Sequence, residues 1–214
     1  MIPMKIQPLR PGDSGLSQEE WQKLKKLSSP TKIQDFLNSL PFNFERGGGT
    51  HRSVRETLKA GRAHCFEGAL VAAAALRISG RSPLILDLVA TNSDLDHVVA
   101  LFKDGPYWVA ISKTNHNVLR YREPIYRSVR ELVISYFHEY FLENGQKTLR
   151  SFSKPFNLSH QGTYWITTRE NLASLAHALD LSPHTAVLTP KQTRHLRKAD
   201  KIEIKASDIE EYKS

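Results

Sequence analysis

The pattern of apolar positions predicts one helix in the middle of the protein. From Gly68 through Leu76 no residue is charged or strongly polar. A helix that is apolar nearly all round lies inside a domain. Upstream, three helices are predicted in segments that begin at Ser17, Ser29 and Ser53. The first has acids early and lysines late, the second has apolar residues at helical spacing, and the third has Ser53 as its cap with Glu56 three residues on.

The segments after the central helix predict an antiparallel sheet. Residues 82–90 form an apolar run that is typical of a strand, and residues 97–112 predict a β-hairpin around the turn signal Asp104-Gly105. Both arms of this hairpin are apolar on both faces. We therefore expect other elements to cover the sheet on each side.

The remainder alternates between helices and short strand-like runs. The pattern predicts a helix over 128–145, a strand over 163–168, a helix over 169–181 and two polar helical segments after it. The expected fold class is α+β, with an antiparallel sheet packed on a central buried helix that carries the cysteine. We divide the chain into an N-terminal arm and helix (1–29), a core (30–150) and a C-terminal strand and helical extension (151–214).

Composition narrows the class of protein. With 40% apolar and 24% charged residues in 214, the chain resembles a globular protein rather than a disordered one. No apolar run approaches the length of a membrane span, and the first residues lack the apolar stretch of a signal peptide. A single cysteine cannot form an internal disulfide. These features favour a cytoplasmic protein without a membrane partner.

The net charge of +8 permits weak attraction to polyanions but does not indicate a nucleic-acid-binding protein. The excess is concentrated in residues 120–130 and 191–201. We interpret these segments as a solvated helix face and an exposed tail, because a binder shows a clearer basic stripe. A nucleic-acid-associated protein remains the least favoured alternative.

Cys65 is the first candidate for chemistry. It lies at the start of the central helix, where free N–H groups and the helix dipole stabilise a thiolate. A free cysteine is also among the most frequently buried and inert residues. Its position alone does not decide between a nucleophile and a core residue.

A cysteine nucleophile needs a base, and the base needs an orienting group. His97 opens the first arm of the predicted hairpin. A two-residue turn at Asp104-Gly105, or a four-residue loop in the same register, places His97 opposite Ser112, whereas a three-residue loop places it opposite Lys113. The orienting group is therefore expected among residues 112–115.

This order of a helix-borne Cys, a His at the head of a strand and an orienting group on the next strand resembles the transglutaminase-like superfamily. The resemblance lies in "AHCFEGALVAAAAL", "DHVVALF" and "YWVAISKTN", within residues 30–150. It implies a papain-like arrangement in which Cys65 matches the nucleophile and His97 the base. Ser112 falls where the family has an acid and carries no charge, and Asn115 or Asn117 could take that place in the papain manner.

The resemblance implies a cysteine-dependent acyl-transfer enzyme, a thiol hydrolase or a transglutaminase-like enzyme, that acts on a peptide, protein or small amide. The alternative is a degenerate member of the same fold that binds without catalysis. We expect His64 to be a cap or a cleft-wall residue that does not face Cys65, and Lys113 and Asn117 to lie at the substrate cleft. Trp108 is expected to line the cleft or to pack in the core. No cofactor is implied, and no zinc-like spacing joins Cys65 to the nearby histidines.

Overall fold

The computed structural model describes residues 8–213 and has an α+β architecture. The helices of the described part are α1 Pro11–Ser14, α2 Gln18–Lys26, α3 Pro30–Ser39, α4 Val54–Ala60, α5 Cys65–Ile78, α6 Val129–Tyr136, α7 Tyr164–Thr167, α8 Ala173–Asp180, α9 Pro190–Arg194 and α10 Lys201–Ser207. The strands are β1 Leu84–Val89, β2 His97–Asp104, β3 Tyr107–Ile111, β4 Arg122–Tyr126, β5 Ser151–Ser153, β6 Phe156–Asn157 and β7 His184–Ala186. Short 3₁₀ turns lie at Phe137–Glu139 and Leu158–Gln161.

The strands form one open antiparallel sheet in the order β4-β3-β2-β1-β5-β7, and β6 also pairs with β1. One apolar cluster joins α5 to one face through side chains such as Ala100 and Phe102. A second cluster joins α6 to the other face through Val99 and Leu101. The alternation along β2 therefore supplies both cores, and the expectation that the hairpin is covered on each side is confirmed.

Helix α5 begins at Cys65 because of its cap. His64 is the N-cap residue and has an extended backbone conformation, and the Glu67 carboxylate accepts a hydrogen bond from the His64 N–H at 3.2 Å. The side chains from Phe66 to Leu76 are buried. Apart from Glu67, whose carboxylate is hydrogen-bonded, these residues are apolar, as burial on all sides requires, and this explains the long run of alanines.

The start of α5 lies in close contact with the segment that follows β3. A Cβ atom at Gly68 would lie 2.5 Å from the Cβ of Lys113, which is closer than two such atoms approach. Only glycine permits this approach without a shift of the backbone. The contact brings the first turn of α5, and with it Cys65, beside residues 112–115.

Ser17, Ser29 and Ser53, the residues at which the predicted N-terminal helical segments begin, cap these helices. Ser17 forms a capping box with Glu20, and the hydroxyls of Ser29 and Ser53 each accept a backbone N–H from their first helical turn. These caps satisfy amide groups that have no partner inside the helix. Of the predicted irregular arm, residues 1–7 lie outside the described part, and α1 is a short helix within the rest.

Two predicted elements are wrong in type. Residues 163–168 were expected to be a strand, but α7 is one helical turn that buries Trp165 and Ile166. The segment 120–130, expected to be a solvated helix face, contains the edge strand β4. Its proline is tolerated there because an edge strand leaves one row of backbone groups unpaired.

Two boundaries also differ from the prediction. Regular helix in the segment 128–145 ends at Tyr136, and a 3₁₀ turn then keeps Phe137 and Tyr140 buried. The hairpin turn consists of Gly105 and Pro106 rather than Asp104 and Gly105, because Asp104 pairs with Tyr107. Within residues 8–213, no helix has both the length and the apolar character that a bilayer crossing requires.

Candidate active site

Cys65 lies at the wall of a cleft with a volume of about 560 Å³. Its side chain is half-buried, so the thiol is neither sealed in the core nor freely exposed. His97, Lys113 and Thr114 line the cleft on the sheet side, and Tyr140 lines it after α6. The arrangement joins a potential nucleophile to a space that admits a small molecule or an extended chain.

The electrostatic surroundings of Cys65 favour the thiolate. Burial raises the pKa of the thiol, but hydrogen bonds from the imidazoles of His64 and His97, together with their positive charge, outweigh burial. The pKa of Cys65 consequently lies well below its ordinary value. The start of α5 adds partial positive charge in the same direction.

His97 is held by Ser112. The side chains are 6% and 2% exposed, and the Nε2 atom of His97 lies 2.8 Å from the Ser112 hydroxyl. That hydroxyl also donates a hydrogen bond to the carbonyl oxygen of Leu119. The three groups form one hydrogen-bonded chain, in which His97 and Ser112 are buried and Leu119 is half-buried.

This chain fixes the tautomer of His97. A serine hydroxyl has one proton, and the Leu119 carbonyl can only accept it. Ser112 must therefore accept its second hydrogen bond from His97, which assigns the Nε2 proton to the neutral imidazole. The Nδ1 atom is then the ring nitrogen that is free to take a proton from Cys65.

The predicted register between the hairpin strands is shifted by two residues. Ala100 pairs with Ile111, so the ladder extended to the head of β2 sets Val99, rather than His97, opposite Ser112. A shift of two residues preserves the face on which a side chain lies. His97 consequently reaches Ser112 diagonally, and its hydrogen-bond partner lies within the predicted range 112–115.

Sequence reasoning missed the residues that hold Ser112 and Leu119. The Gln34 side chain accepts a hydrogen bond from the Ser112 N–H at 3.0 Å and donates one to its carbonyl at 2.7 Å. The Glu139 carboxylate accepts the Leu119 N–H at 2.7 Å and pairs with Arg122 at 2.6 Å. Leu119 has a φ of 58°, a conformation that a side chain disfavours and that these contacts maintain. Nothing in the sequence links positions so far apart.

His64 also faces the thiol, and the expectation that neighbouring residues point apart is wrong here. That rule holds within a helix, whereas His64 is the extended cap residue before the helix. Its Nε2 lies 2.6 Å from the Thr50 carbonyl. Burial lowers the pKa of His64, but contact with Cys65, the charge of Glu67 and the bond to Thr50 raise it to about 9.

The carboxylate of Glu67 organises this side of the site. It is fully buried and accepts hydrogen bonds from Asn43, Thr50 and both the backbone and the guanidinium of Arg52. Its Oε1 lies 3.7 Å from the Nε2 of His64. The cap of α5 and the orientation of His64 thus depend on one buried acid that the sequence analysis did not single out.

The two asparagines do not contact His97. The Asn115 side chain forms two hydrogen bonds with the backbone of Tyr212, each of 2.9 Å. Its amide N–H donates to the Tyr212 carbonyl, and its amide oxygen accepts the Tyr212 N–H. The backbone N–H of Asn117 donates to Ile209. Asn115 lines the cleft, but both residues anchor the C-terminal segment beside it.

Of Lys113 and Trp108, which were also considered for the cleft, only Lys113 lines it. Lys113 lines the cleft, is 1% exposed, and donates from Nζ to the Leu40 carbonyl at 2.6 Å. Burial lowers its pKa. Trp108 pairs with Lys103 near the turn of the hairpin, at the opposite end of β2 from His97, and packs against the α6 core instead.

No protein-family model and no curated protein matches this chain. Within residues 8–213, no three histidine, cysteine, aspartate or glutamate side chains converge as a metal site would require. The chemical interpretation of the cleft therefore depends on its own geometry.

Proposed function

We propose that the protein is a cysteine-dependent acyl-transfer enzyme of the transglutaminase-like type, with Cys65 as nucleophile and His97 as base. The observation that carries the proposal is a half-buried thiol in the same cleft as an imidazole whose Nε2 is held by Ser112. A structural cysteine needs neither an oriented base nor a depressed pKa.

The groups present suffice for a two-step reaction. The Cys65 thiolate attacks the carbonyl carbon of an amide or thioester, and the Nδ1–H of His97 donates a proton to the leaving group as its bond to that carbon breaks. His97 then takes a proton from water or an amine, which attacks the thioester and releases the thiolate. Backbone N–H groups at the start of α5 would stabilise the oxyanion in both steps.

Ser112 gives this site a neutral orienting group. A carboxylate would stabilise the imidazolium by charge, whereas Ser112 and the Leu119 carbonyl offer only dipoles. The same observation favours the second candidate, a binding module that keeps the fold and the pair but has lost turnover. We favour the enzyme because the thiol, with its lowered pKa, lies beside an imidazole that Ser112 and the Leu119 carbonyl orient.

The basic segment 120–130 lends no support to a nucleic-acid role. Arg120 pairs with Glu211 and Arg122 with Glu139, while Arg130 donates to two backbone carbonyl groups of residues 186–187. Guanidinium groups engaged in this way hold the fold together. They are not presented as a free basic stripe.

The test is single-turnover acylation with p-nitrophenyl acetate, followed by intact mass. We expect one acetyl group on Cys65 that is then lost, none on Cys65→Ser, and an acetyl group that persists on His97→Ala because deacylation needs the base. His177→Ala, a change at an exposed histidine of α8, is the matched control. Acetylation without loss in the unaltered protein would favour the binding module, and no acetylation of Cys65 would overturn the proposal.

A further inference from the structure

The cleft beside Cys65 is acidic although the protein is basic. The carboxylates in its lining come from Asp94, Asp96, Glu139, Glu143, Asp208 and Glu210. Its basic lining residues are Lys113, His97 and His116. A protein with a net charge of +8 therefore concentrates negative charge at the place where the nucleophile lies.

Most of this negative charge is not neutralised by the protein. Glu139 pairs with Arg122 at 2.6 Å, and Glu210 lies 3.9 Å from His116. The other four carboxylates have no lysine, arginine or histidine nitrogen within 4.0 Å in the part of the chain that the structure describes. The Lys113 ammonium group is directed at the Leu40 carbonyl and is nearly inaccessible.

The charge also lies close to the reacting atoms. Asp96 immediately precedes His97, and its carboxylate accepts the Ala90 N–H at 2.7 Å, which fixes its loop at the head of β2. Burial chiefly raises the pKa of Asp96, and the negative charge of the Cys65 thiolate contributes. A ligand seated at the thiol therefore lies within the field of this carboxylate.

We propose that this cleft selects acyl substrates that carry an ammonium or guanidinium group near the reacting carbonyl. The inference rests on the proposed acyl-transfer function and assigns its substrate class. A cleft of one sign attracts ligands of the opposite sign and raises their rate of encounter by about tenfold or more. A cationic group would offset the carboxylates that the protein leaves unpaired, whereas an anionic group would add to their repulsion.

The first test measures the charge preference of Cys65 without a substrate. Cys65 is modified with the cationic reagent MTSET, the anionic reagent MTSES and neutral methyl methanethiosulfonate, and each rate is divided by that of free 2-mercaptoethanol. We expect the normalised MTSET rate to exceed the MTSES rate by about tenfold, and the ratio to fall as salt is added. Equal normalised rates, or a preference for the anion, would overturn the inference.

A matched pair of variants locates the charge. Glu143→Gln with Asp208→Asn removes two exposed carboxylates from the cleft, and Glu123→Gln with Glu170→Gln removes two exposed carboxylates elsewhere. We expect the first pair to lower the MTSET-to-MTSES ratio about threefold or more and the second to leave it unchanged. An equal effect of both pairs would attribute the preference to overall charge and contradict the inference.

The second test concerns ligand binding. N-acetyl-arginine amide, N-acetyl-glutamine amide and N-acetyl-glutamate amide compete with neutral methyl methanethiosulfonate for access to Cys65. We expect the arginine derivative to protect Cys65 most and the glutamate derivative least. Strongest protection by the glutamate derivative would overturn the inference. If neutral methyl methanethiosulfonate modifies Cys65 only after unfolding, the proposed function fails as well, whereas ready modification without charge preference overturns the substrate class alone.

Discussion

The Nε2 atom of His97 lies 2.8 Å from the hydroxyl of Ser112, and both side chains are buried. Because Ser112 donates its own proton to Leu119, it accepts one from His97. A residue without charge thus sets the tautomer that leaves Nδ1 for Cys65. The catalytic role that we propose for His97 and Cys65 depends on this contact.

Replacement of Ser112 by alanine tests that dependence. Loss of the acceptor leaves a buried N–H unpaired, at a cost of about 1–3 kcal/mol, and frees the imidazole to rotate. We expect the rate of Cys65 acylation by p-nitrophenyl acetate to fall about tenfold to a hundredfold. Ser153→Ala removes another buried hydroxyl of the same sheet, which accepts the Asp87 N–H, and is expected to leave that rate unchanged. Equal losses in both variants would show a general effect on folding.

Replacement of His64 by asparagine tests the second imidazole. With its pKa raised to about 9, His64 is protonated at neutral pH and supports the thiolate. We expect His64→Asn to raise the thiol pKa, so that the rate of alkylation by iodoacetamide at pH 6, divided by the rate at pH 9, falls about tenfold. His177→Asn, at an exposed position, keeps the wild-type ratio. An unchanged ratio in His64→Asn would show that His97 and the start of α5, and not His64, lower the thiol pKa.

Replacement of Gly68 by alanine tests the contact between α5 and the segment after β3. The new methyl group would lie 2.5 Å from the Lys113 Cβ, which is close to the backbone and has little freedom to move. We expect the free energy of unfolding to fall by about 1–3 kcal/mol, measured with urea. Gly47→Ala, in a loop with no neighbour within 4 Å, is expected to change it by less than about 0.5 kcal/mol. Equal stability of the two variants would contradict the packing described.

Replacement of Asp87 by asparagine tests a buried carboxyl of β1 that lies 3.4 Å from His184. Burial, together with the charge of Asp96, raises its pKa from 3.8 to about 7 against the opposing effect of His184. Between about pH 4 and pH 7 the folded state therefore holds a proton that the unfolded chain releases. The free energy of unfolding is not reduced by this group below about pH 4, and it falls as pH rises to about 7.

We accordingly expect Asp87→Asn to gain stability over the wild type between pH 4.5 and pH 8, by about 3 kcal/mol in the free energy of unfolding. Denaturant unfolding at the two pH values measures the difference. Asp35→Asn, at an exposed position of α3, should show no such trend. A wild-type stability that rises over this range, with the rise lost in Asp87→Asn, would show an ionised and paired carboxylate instead.

The sequence predicted those parts of the site that depend on local pattern. An apolar run after Cys65 predicts a buried helix that begins there, and alternation along 97–112 predicts the hairpin. The turn lies one residue later than predicted, which shifts the register between the two strands by two residues. A shift of two keeps each side chain on the same face of the sheet, so His97 and Ser112 still meet. Periodicity carries this kind of information even where the turn is misplaced.

The sequence did not predict the contacts between distant segments. Gln34 and Glu139 hold the site through hydrogen bonds to residues far along the chain, and no local pattern marks them. Glu67 has the spacing of a capping box with His64, but its contacts with Asn43 and Thr50 are not local. The segment 163–168 has the composition of a strand but forms a helical turn that buries Trp165. In that segment tertiary packing outweighs the local preference.

The most direct test of the central claim is the pH dependence of Cys65 alkylation by iodoacetamide, in the intact protein and in His97→Ala. The account predicts a thiol pKa well below the ordinary value of about 8.5 in the intact protein, and a higher value in the variant. His177→Ala should retain the low value. A thiol that reacts only after unfolding, or whose pKa is the same with and without His97, would contradict the claim that these residues form a catalytic pair.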